Sequence, residues 1–296
     1  LGIALALSRL LKLTAQETRH AFAAASVSAG GVLNVLDEGS ELKPYNVAKS
    51  ALLGLTAVQM ARAGFKGPLD PLGGERGFLK MMAGDRDLPL LPPLSDGLYA
   101  VEKTYTKPYA ACRYCHPAID AALRIRGDYQ FDPEDILSVQ VFTYRLAVYQ
   151  HDHTDIPGPA SAKMSIPYSV AAALCHGRAG MESYSERAVG DPRVLALTRK
   201  VQVKDDQAMT DAFPKETRAR VKLTLLDGQS LEREVKEPKG EPSTPLTKEE
   251  FLARFLDLMA FGGRDESQAR TLYRSVQEGE GSMEDFFSLL KEGSKE

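Results

Sequence analysis

The 296-residue sequence contains no tryptophan, and it has only three cysteines. An odd and small number of cysteines in a chain of this length argues against a disulfide scaffold and favours a reducing compartment, so we expect a cytoplasmic protein. Runs of about 18 apolar residues, as a transmembrane helix requires, are also missing, so we expect no membrane partner. The 37 basic and 40 acidic residues give a net charge of −3, which provides no global basic field for nucleic acid.

Helical signals dominate the first hundred residues. The chain opens on an apolar stretch, residues 1–7, with neither Met nor a basic segment before it. This pattern favours the interior of a helix over a secretory signal. Thr14 and Glu17 have the spacing of a capping box at the start of a second helix. A third helix is predicted over 45–63, with Pro44 at its first position, and its small residues suit close contact with another helix.

The middle of the chain changes to strand patterns. Residues 136–144 alternate and are rich in β-formers, which predicts a strand. Residues 218–226 and 229–235 flank Asp227-Gly228, the strongest hairpin signal in the chain. Between these strands, 167–176 reads as a buried helix.

A polar segment rich in Pro and Gly, 236–245, is predicted to be a linker before a final helical region that starts at Thr247. The sequence therefore predicts an α+β protein: an all-helical domain plus a smaller mixed α/β lid domain with an antiparallel sheet. We place the helical domain at 1–103 and the lid at 104–243. Residues 244–296 are expected to return as helices to the helical domain.

Several motifs occur in one order along the chain, and together they resemble the MmgE/PrpD family, which includes 2-methylcitrate dehydratase and cis-aconitate decarboxylase. The resemblance covers essentially the whole sequence. The motifs that carry it are Lys43-Pro44-Tyr45-Asn46-Val47-Ala48-Lys49, Gly73-Gly74-Glu75-Arg76-Gly77, Lys107-Pro108-Tyr109-Ala110-Ala111-Cys112, His116-Pro117-Ala118-Ile119-Asp120, and Lys163-Met164-Ser165-Ile166-Pro167-Tyr168.

This resemblance implies a lyase without a cofactor that acts on a small tricarboxylic acid, by dehydration or decarboxylation. An epimerase or isomerase of an amino- or imino-dicarboxylate is the alternative on the same scaffold. Family members are longer and carry acid–base groups in a segment before the point that matches the start of this sequence. A non-catalytic or half-enzyme subunit that needs a second chain is therefore a third hypothesis. The resemblance also implies a homodimer.

Two lysines occur in the same tripeptide, Lys43-Pro44-Tyr45 and Lys107-Pro108-Tyr109. From the residues alone, a lysine before a helix is more often a solvated surface charge than a ligand. The resemblance matches both positions to substrate-binding lysines and thereby favours a carboxylate-binding role. We expect Lys43 to cap its helix, and we expect the two ammonium groups to converge between the helical domain and the lid.

Acid–base chemistry is expected from His116, which precedes Pro117 at the start of a helix. The helix dipole there would favour the neutral imidazole, which suits a base or a hydrogen-bond donor. A purely capping histidine is the alternative, and the resemblance favours a catalytic role. The resemblance implies that Cys112 and Tyr149 line the pocket, with Tyr144 as the competing tyrosine. We expect Lys107 and Tyr149 to act with His116 in catalysis and Cys112 to contact the substrate.

Three further patterns suggest cofactors or ligands that we do not favour. Residues 112–116 fit the attachment pattern of c-type haem, but haem attachment requires an exported chain. His151-Asp152-His153 resembles a metal clip, although the Pro and Gly residues after it indicate a polar loop. The last pattern is Gly73-Gly74-Glu75-Arg76-Gly77, which lacks the strand and the Lys-Ser/Thr of a phosphate loop and therefore predicts a tight turn. Nothing else in the sequence supports an anion contact by Arg76. We expect no cofactor and no metal.

Overall fold

The computed structural model describes residues 1–32, 42–84, 97, 99–279 and 281–291, without the side chains of Lys43 and Ala83. The chain divides into two compact units, Leu1–Gly97 and Leu98–Glu296. The predicted α+β class is confirmed, because helices in both units accompany one four-stranded sheet. Within the described residues, no helix is both long enough and apolar enough to cross a membrane.

The first unit consists of helices. They are α1 (Gly2–Leu10), α2 (Ala15–Ser28), α3 (Leu42–Arg62) and α4 (Phe78–Ala83). The predicted capping box before α2 is confirmed, since Thr14 Oγ1 accepts from the Glu17 amide at 3.2 Å and Glu17 Oε2 accepts from the Thr14 amide at 2.8 Å. Such a box satisfies two amide groups that have no partner within the helix.

The predicted position of Lys43 as a helix cap is wrong. Helix α3 begins at Leu42, so that Lys43 lies within its first turn and Pro44 follows one position later. Proline is tolerated there because the first N–H groups of a helix have no acceptor within the helix.

Small residues hold these helices close together. The buried cluster of the first unit is made of Ala4, Ala21, Ala25, Ala57, Val58 and Ala61. At Gly54 in α3, an added Cβ would lie 2.7 Å from Ile3 Cγ2 of α1. The close helix contact predicted from the small residues of α3 is therefore confirmed at this glycine.

The second unit contains the sheet and the remaining helices. The helices described here are α5 (His116–Asp128), α6 (Arg145–Val148), α7 (Pro159–Ala162), α8 (Ile166–His176), α9 (Glu186–Val189), α10 (Pro192–Thr198), α11 (Gln207–Ala212), α12 (Lys248–Phe261), α13 (Glu266–Glu278) and α14 (Met283–Lys291). Short 3₁₀ turns occur at Ala100–Lys103, Arg113–Cys115, Pro133–Asp135 and Met181–Tyr184.

The strands are β1 (Ile136–Thr143), β2 (Val201–Asp205), β3 (Ala219–Leu225) and β4 (Ser230–Val235), in the order β2-β1-β3-β4. The predicted hairpin is confirmed as β3 and β4, which pair antiparallel around a turn with Gly228 at φ 88°. Strand β1 is confirmed too, and it pairs antiparallel with β3. The sheet is mixed because β2, which the sequence did not predict, pairs parallel with β1.

Helix α5 packs against β3, β4 and α8, and His116 is its first residue. Its residues Ile119 and Ile125 are fully buried. Helix α8 confirms the predicted buried helix and is capped by Ser165, whose Oγ accepts from the Tyr168 amide at 3.1 Å. A first turn built on this core has little freedom to move, because burial of apolar side chains is the main stabilising term.

The prediction of a linker over 236–245 is wrong, since this segment packs on the second unit. The Gly240 carbonyl accepts from the Thr106 amide at 2.8 Å, and Asp120 Oδ2 accepts from the Lys239 amide at 3.3 Å. Gly240 has φ 94°, and an added Cβ would lie 1.9 Å from the Thr106 carbonyl oxygen. Glycine is thus needed at position 240 for a close backbone approach. The composition of the segment alone had resembled that of a flexible linker.

Helix α12 begins where predicted, and Thr247 caps it, because Thr247 Oγ1 accepts from the Glu250 amide at 3.2 Å. Two of its side chains bond to other parts of the second unit: Arg254 Nε donates to the Lys107 carbonyl at 3.2 Å, and Glu250 pairs with Lys239. The predicted boundaries at 103 and 243, and the return of residues 244–296 to the helical domain, stay predictions.

The contact at Gly240 generates a stability prediction. Gly240→Ala adds a clash with the Thr106 carbonyl to the strain of a positive φ, whereas Gly228 also has a positive φ but nothing within 4 Å of an added Cβ. We expect Gly228→Ala to cost about 1–2 kcal/mol from backbone strain alone. Gly240→Ala should cost at least about 1 kcal/mol more, because the clash adds overpacking. Urea unfolding of both variants measures the difference, and equal losses would contradict the close approach.

Candidate functional site

His116 is the first residue of α5, which confirms its predicted place at the start of a helix, and it is fully buried. Its Nε2 lies 3.2 Å from the carbonyl oxygen of Ala111. Because a carbonyl oxygen only accepts, Nε2 carries the hydrogen of a neutral ring. Nδ1 is then the unprotonated nitrogen, and it is buried without a hydrogen-bond partner.

The surroundings of His116 strongly favour its neutral form. Burial lowers the pKa of His116 from 6.5 to about 3, and the positive charges of Arg113, Lys107 and Arg254 act in the same direction. The neutral imidazole expected from the sequence therefore agrees with the structure. Its causes are desolvation and nearby cations, rather than the helix dipole on which we based that expectation.

Lys107 lies beside His116. The exposed side chain of Lys107 donates from Nζ to the Ala111 carbonyl at 3.3 Å, so one oxygen accepts from both predicted residues. A carbonyl oxygen has two lone pairs and can serve both donors. The structure thus brings together the ammonium group and the imidazole that the sequence singled out.

Tyr109 forms one wall of the His116 site. Its ring packs edge-on against the imidazole, with 5.2 Å between centroids, and its hydroxyl donates to Asp120 Oδ1 at 2.7 Å. Burial, followed by the negative charge of Asp120, raises the pKa of Tyr109 above its usual range. The second oxygen of Asp120 accepts from Arg124 Nη2 at 3.1 Å. This chain of hydrogen bonds holds the Tyr109 ring in place.

Cys112 lies between these residues in the chain. Its side chain is buried, and its amide donates to the Lys163 carbonyl at 2.7 Å. Cys112 and Cys115 are both buried, and they are not joined in a disulfide. Attachment of haem requires both sulfur atoms to be reached from outside, so their burial disfavours that alternative.

The two candidate tyrosines differ in environment. Tyr149 follows α6 and its side chain is 66% exposed, in contrast to the fully buried His116. Tyr144 is buried and stacks on Phe213 with 4.6 Å between ring centroids, which makes it part of the core. A pocket role for Tyr149 stays a prediction.

The histidines of the possible metal clip have protein partners. The segment is a loop, as predicted. His151 is buried, with Nδ1 donating to the Tyr149 carbonyl at 2.7 Å, and His153 Nε2 lies 3.0 Å from Ser161 Oγ. Over the part of the chain that the structure describes, no group of three His, Cys, Asp or Glu side chains is placed to hold a metal ion.

The glycine-rich motif of the first unit forms the predicted tight turn. An added Cβ on Gly77 would lie 1.9 Å from the Gly73 carbonyl oxygen, and Gly74 has φ 78°. With Arg76, the turn lines a cavity of about 640 Å³ within the first unit. No described hydrogen bond or ion pair of this turn points to an anion site.

Two cations near His116 were not predicted from the sequence. Arg113 pairs with Glu241, and Arg254 donates to the Lys107 carbonyl. Arg113 lies inside the motif that suggested haem, and a position three residues before a candidate histidine was the available signal. No signal in the sequence indicated Arg254, because 147 residues separate it from Lys107.

Lys43 belongs to the first unit, and its side chain lies outside the described residues. The predicted convergence of Lys43 with Lys107 is therefore untested by the structure and stays a prediction.

Comparison of the sequence with known protein families gives a match in each of the two units. Family models described as "MmgE/PrpD C-terminal domain" and "MmgE/PrpD N-terminal domain" match residues 109–278 and 1–91. The chain belongs to the MmgE/PrpD family.

Curated relatives are similar at low identity. A mitochondrial 2-methylcitrate dehydratase of Yarrowia lipolytica is 26% identical over 59% of this chain and 36% of its own length. A 2-methylcitrate dehydratase of Cupriavidus necator is 27% identical over 46% of this chain and 30% of its own length. The human (Homo sapiens) cis-aconitate decarboxylase is 24% identical over 86% of this chain and 53% of its own length. The chain thus spans between about a third and about a half of these relatives' lengths.

The lowered pKa of His116 predicts a pH-dependent stability. Between pH 6.5 and pH 3 the unfolded chain binds a proton at this residue and the folded chain does not. Stability is therefore present above pH 6.5 and is lost as pH falls, by at most about 1.4 kcal/mol per pH unit.

We expect wild type to lose about 2 kcal/mol more than His116→Gln between pH 7 and pH 5, measured by urea unfolding. Parallel losses in the two proteins, which leave a constant offset between them, would show that His116 titrates normally and that the substitution changes packing alone.

Proposed function

We propose that this chain contributes to a cofactor-independent lyase that acts on a small tricarboxylic acid, as a hydro-lyase or a carboxy-lyase. The single observation that supports it best is the buried neutral His116, with an unpartnered Nδ1 and with Lys107 on the same Ala111 carbonyl. Membership of a family whose named relatives are dehydratases and a decarboxylase supports the reaction class.

The proposed chemistry begins with removal of a proton, or of carbon dioxide, next to a carboxylate. Either step builds negative charge, and fixed cations lower its barrier. In this proposal Lys107 and Lys43 bind substrate carboxylates, while Cys112 and Tyr149 line the pocket. His116 accepts or donates a proton at Nδ1.

Substrate binding would change the proton affinity of His116. In the ligand-free protein, burial and three cations hold the pKa of His116 at about 3, which makes it a weak base. A bound carboxylate offsets those positive charges and raises that pKa toward neutrality. A general base is most effective when its pKa is near the working pH, so substrate would activate the base that acts on it. Direct transfer at Nδ1 also requires neighbouring side chains to move, because His116 is fully buried.

A product assay tests the reaction class. The full chain is incubated with 2-methylcitrate and with cis-aconitate, and water loss, carbon dioxide release and optical rotation are followed. Elimination or decarboxylation is the expected result. Loss of optical activity without either product would contradict a lyase and support an epimerase. A homodimer and a cytoplasmic location are further proposals that rest on the family resemblance and the cysteine count.

Carboxylate binding by the lysines is tested separately from turnover. We expect Lys107→Ala to weaken citrate binding by roughly tenfold in calorimetry, because a charge-assisted hydrogen bond is lost, and Lys43→Ala to do the same. Lys204→Ala removes an exposed lysine at the end of β2 and serves as the matched control. Citrate affinity that is equal in all three variants would remove both lysines from the proposed site.

A further inference from the structure

Arg113 has a guanidinium group with one satisfied edge and one free edge. Its side chain is only 14% exposed, and its Nη2 pairs with the carboxylate of Glu241. The guanidinium carbon lies 4.9 Å from the centroid of the Tyr105 ring, which supports one face of the group. Nη1 is buried and has no hydrogen-bond partner.

The free edge of Arg113 points to a missing acceptor. A guanidinium presents its N–H groups as a fork that fits both oxygens of a carboxylate. A buried donor without a partner costs about 1–3 kcal/mol, and more when it is charged. Glu241 does not accept from Nη1, so this cost remains. An oxygen of another carboxylate would accept from Nη1 and remove this cost.

Arg113 belongs to the same neighbourhood as His116. It opens the three-residue turn Arg113–Cys115, which leads directly into α5 at His116. After burial, its charge is the largest influence that lowers the pKa of that histidine. A carboxylate bound at Arg113 would therefore lie within electrostatic reach of the proposed base.

We propose that Arg113 forms a carboxylate subsite for the polycarboxylate substrate, and that Glu241 occupies this subsite as an internal carboxylate until substrate displaces it. This inference rests on the proposed function. It adds a cation from the second unit to the two lysines, and a substrate with several carboxylates needs several cations.

The exchange requires only a side chain to move. The backbone beside Glu241 is held by the Gly240–Thr106 and Lys239–Asp120 hydrogen bonds. The Glu241 side chain is 22% exposed and can turn into water while this backbone stays. Glu241 then acts as a competitor that lowers the affinity for substrate. Removal of the Glu241 charge should therefore increase the affinity for substrate. Removal of a purely structural ion pair would weaken binding or leave it unchanged.

Calorimetric titration of the full chain with citrate tests the competition. We expect Glu241→Gln to tighten citrate binding by about threefold to tenfold and Arg113→Gln to weaken it by about tenfold or more. In the double variant the gain from Glu241→Gln should disappear, because the competitor acts only through Arg113. Asp128→Asn, which breaks the exposed Arg233–Asp128 pair of the same unit, is the matched control and should leave the affinity unchanged.

The outcomes separate this inference from the proposed function. Unchanged or weaker binding to Glu241→Gln, with normal binding to wild type, overturns the subsite and leaves the proposed function standing. No citrate binding to wild type or to Glu241→Gln overturns both. Should Arg113→Gln fail to fold, the Arg113 Nε–Hε signal of wild type replaces it in a nitrogen NMR titration. Citrate must shift that signal, and an unshifted signal at saturating citrate sinks the subsite.

Discussion

One carbonyl oxygen organises the candidate site. The Ala111 oxygen accepts from Lys107 Nζ at 3.3 Å and from His116 Nε2 at 3.2 Å. This shared acceptor fixes which imidazole nitrogen carries the hydrogen and leaves Nδ1 with its lone pair. It also keeps the ammonium group of the exposed Lys107 beside a buried ring, where its charge contributes to lowering the pKa of His116. The neutral state of the histidine follows mainly from its burial and from the nearby cations, which together outweigh the opposite effect of the Ala111 hydrogen bond on its pKa.

Parts of the chain that are distant in sequence hold this region in place. Helix α5 rests on β3 and β4 and carries His116 at its first turn. Asp120 on the same helix accepts from both the Tyr109 hydroxyl and the Lys239 amide, so it joins the wall of the site to the segment that follows β4. The positions of the reactive groups thus depend on the core of the second unit. A charged site of this kind is only as ordered as the backbone that carries it.

Local signals explain what was predictable. The caps at Thr14 and Thr247 and the hairpin at Asp227-Gly228 depend on side chains within a few residues of each other, and all are present. The packing of the 236–245 segment was not predictable, because a composition rich in Pro and Gly is common to linkers and to close backbone contacts. For the site, residue type and family resemblance indicated His116 and Lys107. Nothing in the sequence paired Arg113 with Glu241, 128 positions away, or revealed that His116 is fully buried.

The central claim is that a neutral, cation-flanked His116 responds to a bound anion, and nitrogen NMR of the imidazole tests it most directly. The ring should keep hydrogen on Nε2 alone from pH 8 to well below its ordinary pKa of 6.5. Added citrate should raise the pH at which Nδ1 gains a proton. A ring that becomes protonated near pH 6.5, with or without citrate, would contradict the account.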